Sequence, residues 1–287
     1  MNKEHIETQN AVLTISYLPF GIDVTPNIPC KPTQKETQTE GPSKTCDKLI
    51  FEDNFNNNQK LTDKWVHEVM YRNFAPYYEF VAFDSDAINS YISDNKLHIT
   101  MTDGIKKGRV YLDKCTSRLT NKNAEYQCGS KKTPVFTKPY TKKSANLYSK
   151  FSFKYGRIEI GVQMPRGDWI FPNILLEPNI KNNRNNGFSK DQIRLYSRGN
   201  EVLQNENYIF FDGRSVFGSV VVWHDTNFSE YWTVRENKDE LYYYDAPYNY
   251  TIIWQKDIIS FMVNGLHFGD ITNKTLLERF NEHEPVV

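Results

Sequence analysis

The chain has no excess of either charge: 35 Lys and Arg stand against 35 Asp and Glu in 287 residues. That balance leaves no electrostatic footprint for nucleic acid or for an anionic membrane surface. No apolar run approaches the roughly 18 residues that a membrane span needs. The stretch from Met1 to Asn10 lacks the apolar segment of a signal peptide. Either the true N-terminus lies upstream or an export signal has been lost. Histidine is scarce, and none of the four cysteines sits in a CxxC pair, which argues against a zinc site. No calcium loop, phosphate loop or nucleophile elbow is present, and no cofactor or metal is implied. Helical periodicity is also nearly missing. It surfaces only over 273–281.

Aromatic residues are plentiful, with 18 Tyr and 18 Phe. They favour strands, and they also stack on the apolar faces of sugar rings. Short β-type runs recur. One spans 49–55. Another spans 90–101, with a hairpin turn at Asp94 and Asn95. Ile158, Ile160, Val162 and Met164 alternate with Glu159, Gly161 and Gln163, the period of a half-buried strand. Further runs cover 147–153, 217–223, 248–254 and 258–263, and Asn264-Gly265 reads as a type I′ turn. Many short strands separated by turn signals predict an all-β sandwich or barrel. The run 11–21 also reads as a strand, but no domain can be assigned to it. Residues 25–45 carry four prolines among polar side chains, the composition of a linker. The expected organisation is a tail and linker over 1–45 and one β-domain over 46–287.

Cys115 and Cys128 enclose a polar loop. A disulfide there would contribute roughly 3 kcal/mol, with Cys30 and Cys46 as the remaining pair. The alternative is four reduced, buried thiols. Asn227, Asn249 and Asn273 each open an N-x-[S/T] sequon. With paired cysteines, these glycosylation candidates favour a secretory route.

Six stretches in order carry a resemblance. They are Cys46 to Phe55, Ser152 to Ile160, Pro165 to Pro172, Ser197-Arg198-Gly199-Asn200, Val221 to His224, and Tyr250 to Trp254 followed by Ile259 to Gly265. Together they resemble the family 16 glycoside hydrolases, a concanavalin-like jelly roll. Within that family they most resemble the insect β-1,3-glucan recognition proteins, also called Gram-negative bacteria-binding proteins, a branch that keeps the hydrolase scaffold for recognition. The resemblance covers most of 46–270. It implies a secreted, non-catalytic receptor of innate immunity. Its ligand would be β-1,3-glucan or another microbial cell-wall polysaccharide, and its downstream partners serine proteases of an immune cascade. The family's N-terminal glucan-binding module is not recognisable in 1–45. The family's terminal strands are expected to be missing after residue 263.

In the resembled family the strand before Ser-Arg-Gly-Asn reads Glu-Ile-Asp-Ile-Met-Glu. A retaining glycosidase needs two of those carboxyl groups about 5–5.5 Å apart. Aligned without gaps, Asp191 takes the nucleophile position, Ile193 the central Asp and Tyr196 the acid/base. With a one-residue deletion, Gln192, Arg194 and Tyr196 take the three places and share one face of the strand. The second alignment alternates more cleanly and is preferred. Neither supplies an acid/base: Gln does not titrate, Arg stays protonated, and tyrosine's ordinary pKa is near 10. The expectation is therefore no catalysis, with Gln192, Arg194 and Tyr196 either binding sugar or filling a collapsed groove.

By the same resemblance Trp169 is a stacking platform, unless it packs in the core beside Ile170 and Phe171. Trp223 and His224 match a cleft strand. Glu177 reads as a loop carboxylate, and Arg198 and Asn200 as residues that fix a turn. Two competing readings remain. One is a weak or altered glucanase using Asp191 or Glu177. The other is a truncated scaffold without sugar binding, its sheet edges exposed.

Overall fold

The computed structural model describes residues 9–17, 48–71, 81–104, 112–116, 128, 142–178, 191–207, 210–224, 227–237, 241–281 and 285–286. Two large sheets dominate. The first runs β18 (Leu266–Ile271), β17 (Ile259–Val263), β16 (Tyr248–Trp254), β11 (Gly156–Gln163), β1 (Gln9–Tyr17), β7 (Lys96–Ile99) and β6 (Ser90–Ser93), with β2 (Lys48–Asp53) also paired to β1. The second runs β15 (Asn227–Glu236), β14 (Ser215–His224), β13 (Gln192–Ser197), β12 (Asn173–Pro178) and β19 (Pro285–Val286). Two smaller sheets flank them. One pairs β3 (Trp65–Glu68) with β10 (Asn146–Ser149). The other joins β4 (Met70–Tyr71), β5 (Val81–Phe83), β9 (Lys142–Ser144) and β8 (Thr102–Asp103). The helices are short, α1 (Leu61–Lys64) and α2 (Lys274–Asn281). Among the described residues no helix is long and apolar enough to cross a membrane.

The expected period-2 pattern builds the core. Ile158, Ile160 and Val162 of β11 and Tyr250, Ile252 and Trp254 of β16 point inward, buried. Facing them from the second sheet are Ile193 and Leu195 of β13 and Val216, Val220 and Val222 of β14. The sheets approach so closely that a Cβ on Gly218 would lie 2.2 Å from the Phe261 ring. Burying these β-branched and aromatic side chains, at roughly 1.5–3 kcal/mol each, holds the sandwich together. Asp94 and Asn95, both at positive φ, make the expected hairpin turn between β6 and β7, and Asn264 and Gly265 do the same between β17 and β18.

The sequence left the strand at 11–21 unplaced in a tail. The structure pairs Gln9–Tyr17 with β11, β7 and β2, with Leu13 opposite Ile160. Its partner strands lie far away in sequence, so local pattern gives no sign of them. The proline-rich linker lies outside the described residues, as do Cys30 and Cys46. The Cys115–Cys128 disulfide is present, with Cα atoms 5.5 Å apart. Beyond β18, Leu276, Leu277 and Phe280 of α2 are buried in the main core, and β19 pairs with β12, Val286 lying opposite Glu177.

Candidate functional site

One face of the second sheet is core. The other carries a row of chemically distinctive side chains. Because Ile193 and Leu195 are wholly buried on the core side, Gln192, Arg194 and Tyr196 project from the opposite face of β13. Strand register sets their neighbours. Arg194 lies between Leu175 of β12 and Ser219 of β14, and Ser219 in turn faces Trp232 of β15. Tyr196 lies between Asn173 and Phe217. Gln192 faces Val221, which faces Glu230.

The centre of this face is a polar relay. The Arg194 Nε donates to Gln192 Oε1 at 2.6 Å, and the Gln192 amide donates to the Glu177 carboxylate. Glu230 accepts hydrogen bonds from Ser219 Oγ at 2.7 Å and from the Tyr196 hydroxyl at 3.4 Å. Burial, reinforced by the nearby Glu230 charge, pushes the Tyr196 phenol far above its ordinary range, so it stays protonated. Gln192 and Tyr196 are only 1% and 4% exposed. They form the floor of the face, while Arg194 and Trp223 are half-buried above or beside it.

Aromatic rings line both ends. At one end Trp223 packs on Phe228, their centroids 5.7 Å apart. At the other, Tyr196 stacks on Phe217 at 5.1 Å and meets Phe171 edge-on at 4.8 Å, and Trp232 and Phe211 close the cluster against Phe217. Phe228 and Trp232 of the edge strand leave 46% and 40% of their surface open.

Trp169 is 79% exposed, so it does not pack in the core. Its loop is nonetheless fixed. Gly167 N donates to Gly199 O at 2.9 Å, Gly199 N donates to Ile170 O at 3.0 Å, and Trp169 N donates to Asn200 Oδ1 at 3.3 Å. Asn200 thus anchors the loop, and the Arg198 guanidinium sits 4.7 Å over the Phe171 ring. Phe171 touches both Arg198 and Tyr196, which sets the Trp169 loop at the Tyr196 end of the face.

Two sequence readings change. Glu177 is not a loop residue: it is the penultimate residue of strand β12 and takes part in the relay. The following Pro178 hid the strand, since proline is tolerated at strand ends but weakens the sequence signal. Asp191, the nucleophile of the ungapped alignment, is 3% exposed and held by Trp223 N at 2.8 Å and by two bonds from Arg279. Glu230, Phe228 and Trp232 were not singled out at all. His224 ends β14 opposite Asn227, and its side chain lies outside the described residues.

No family model matches the chain. It is 33% identical over 251 residues to Gram-negative bacteria-binding protein 2 of Drosophila melanogaster, covering 83% of this chain and 51% of that protein. It is 31% identical over 238 residues to beta-1,3-glucan-binding protein 1 of Galleria mellonella, covering 79% and 45%. The chain therefore spans about half the length of these curated relatives. Among solved structures, the laminarinase catalytic domain of Thermotoga maritima superposes with a TM-score of 0.56 at 15% identity, over 83% of this chain and 84% of that one. The endo-β-1,3-glucanase of Pyrococcus furiosus gives 0.57 at 16%, over 83% and 81%. The fold is the laminarinase jelly roll. By sequence the chain is a homologue of the insect Gram-negative bacteria-binding and β-1,3-glucan-binding proteins.

Proposed function

We propose that the chain is a non-catalytic β-1,3-glucan-binding protein that acts in recognition of microbial polysaccharide. The observation that carries this reading is the Arg194-centred face with open aromatic surface at both ends. Exposed Trp169 and half-open Trp232 and Phe228 offer platforms for sugar rings. Arg194 and the polar floor offer hydrogen bonds to hydroxyls. Gln192 and Tyr196 act from below, holding Arg194 and Phe171 in place. The names of the homologues, binding proteins rather than hydrolases, support the same reading.

The wider role is part of the proposal. A secreted protein of innate immunity that passes its signal to serine proteases fits the disulfide and the exposed sequon residues Asn249 and Asn273. The test is a pulldown on insoluble curdlan combined with reducing-sugar release from laminarin, on one purified sample. Retention without release is the expected result. A chain that curdlan does not retain is not a glucan receptor.

A second reading, an altered glucanase, rests on Glu177 and Glu230, two carboxylates at the same face. They lie on strands three positions apart, roughly 14 Å between backbones, and each is occupied by neutral donors. Sugar release that disappears in both Glu177→Gln and Glu230→Gln would favour it.

A further inference from the structure

Gln192, Arg194 and Tyr196 alternate along β13, and Arg198, just past the end of that strand, lies over the Phe171 ring that meets Tyr196 edge-on, so a guanidinium group lies to either side of one phenol. Neither arginine holds a carboxylate among the described residues. The Arg194 Nε is engaged by a neutral amide oxygen. The Arg198 Nε is buried and has no hydrogen-bond partner, while its guanidinium plane rests over Phe171. Elsewhere in the fold, Arg157, Arg166, Arg214 and Arg279 each pair with an acid. The acids that face the row are already satisfied: Glu177 by Gln192, Glu230 by Ser219 and Tyr196, and Asp191 by Arg279. Both arginines act electrostatically on the Tyr196 phenol, opposing its burial. Both therefore lie near Tyr196.

We propose that this face takes a glycan bearing oxyanion groups, carboxylate, sulfate or phosphate, held by Arg194 and Arg198 on either side of Tyr196. The inference rests on the reading of the face as a polysaccharide site and narrows its ligand class. A neutral glucan presents hydroxyls and apolar ring faces, and these need neither a second cation nor a fixed fork of N–H donors. A planar guanidinium matches an oxyanion with two parallel hydrogen bonds, and such charge-assisted bonds are about twice as strong as neutral ones. The open rings of Trp169 and Trp232 remain available for the uncharged sugars of the same chain.

The experiment measures affinity of the whole chain for laminarin, carboxymethylated laminarin and sulfated laminarin, at low and at physiological salt. Wild type is expected to bind at least one anionic derivative about tenfold more tightly than laminarin, with the preference shrinking as salt screens it. Arg198→Gln is expected to remove most of that preference and to leave laminarin binding within about twofold, while Arg194→Gln is expected to remove the preference together with part of the laminarin binding. Lys150→Gln, an exposed lysine outside the face, is expected to change neither. Arg194→Lys keeps the charge without the fork and should retain part of the preference, which guards against a variant that merely folds poorly. Equal affinity of wild type for neutral and anionic polymers overturns the inference and spares the glucan reading. So does an anionic preference that survives in both Gln variants. Failure to bind any of the three polymers overturns the glucan reading itself.

Discussion

Asp191 and Arg279, 88 residues apart, meet in a two-bonded ion pair, Arg279 Nε to Oδ2 at 2.9 Å and Nη2 to Oδ1 at 3.2 Å. Arg279 also donates to the Trp223 carbonyl at 2.8 Å, and Asp191 accepts from the Trp223 amide at 2.8 Å. Both polar groups of the Trp223 backbone are thereby tied to one charge pair, which joins α2 to the start of β13 and the end of β14. The Asp191 side chain is 4% exposed and that of Arg279 is 40% exposed. Arg279→Ala would leave a buried carboxylate without its cation. A fully buried pair broken this way costs 3–5 kcal/mol, and the partial exposure of Arg279 lowers the expected cost to about 2. Thermal unfolding should show a fall of about 5 °C. Asp191→Asn keeps the bond to Trp223 N and should cost less. Any sugar release by the wild type should persist in Asp191→Asn, because its oxygens are spent on structure. Loss of release in that variant would restore Asp191 as a nucleophile.

The Trp169 loop separates binding from stability. Trp169 is so exposed that Trp169→Ala should change stability by less than about 0.5 kcal/mol, while weakening retention on curdlan about tenfold or more. Gly199→Ala makes the opposite test. A Cβ there would stand 2.5 Å from Gly167 O and 2.9 Å from Pro165 O, so the loop must lift. Expected are a loss of about 1–3 kcal/mol and a binding defect like that of Trp169→Ala. Normal curdlan retention by both variants would remove the loop from the site.

What the sequence made legible was whatever repeats locally. Ile158, Ile160 and Val162 alternate cleanly because one side of β11 is core, and they gave the strand and its face. The face of β13 followed from Ile193 and Leu195 in the same way. Strand β15 stayed hidden because both of its faces carry apolar and polar residues: Phe228, Glu230, Trp232 and Val234 on one, Ser229, Tyr231, Thr233 and Arg235 on the other. A strand that lines a half-open face has no reason to alternate in hydrophobicity. With it went Glu230 and Trp232. The Asp191–Arg279 pair was hidden for a different reason, since nothing in either local sequence signals a contact across 88 positions.

The disulfide closes a loop beside a small second core. Cys115 packs against Val69, Tyr71, Ala82 and Leu112. Leu112 N donates to Cys128 O at 2.8 Å, and Thr116 N donates to Val69 O at 2.9 Å. Opening the bridge frees a 13-residue separation in the unfolded chain, a loss of about 3 kcal/mol. The Cys115→Ala, Cys128→Ala double variant should unfold at correspondingly lower denaturant with an unchanged main core. Reductant should destabilise the wild type more than that variant. Equal sensitivity of the two would mean the bridge contributes nothing.

Tyr71, 2% exposed in that small core, sets an alkaline limit. Burial pushes its phenol from 10.0 up to about 12, with Lys143 pulling it down and Asp84 adding to the rise. In the unfolded chain the phenol ionises near pH 10, while in the fold it holds its proton for about two more units. Above pH 10 the unfolded state therefore binds fewer protons than the native state, and stability falls as pH rises toward 12. Below pH 10 both states are protonated and the group adds no pH dependence. His67 acts at the acid end: burial lowers its pKa below 6.5, outweighing the opposing pull of Asp84. It stays neutral in the fold, so stability is present above pH 6.5 and declines as pH falls below it. Denaturant titrations from pH 5 to pH 12 should show both losses. Tyr71→Phe should flatten the alkaline arm and leave the acid arm in place. An alkaline slope identical in wild type and Tyr71→Phe would assign that arm to other buried tyrosines, of which Tyr250, pushed up by burial in the main core, is the next to replace.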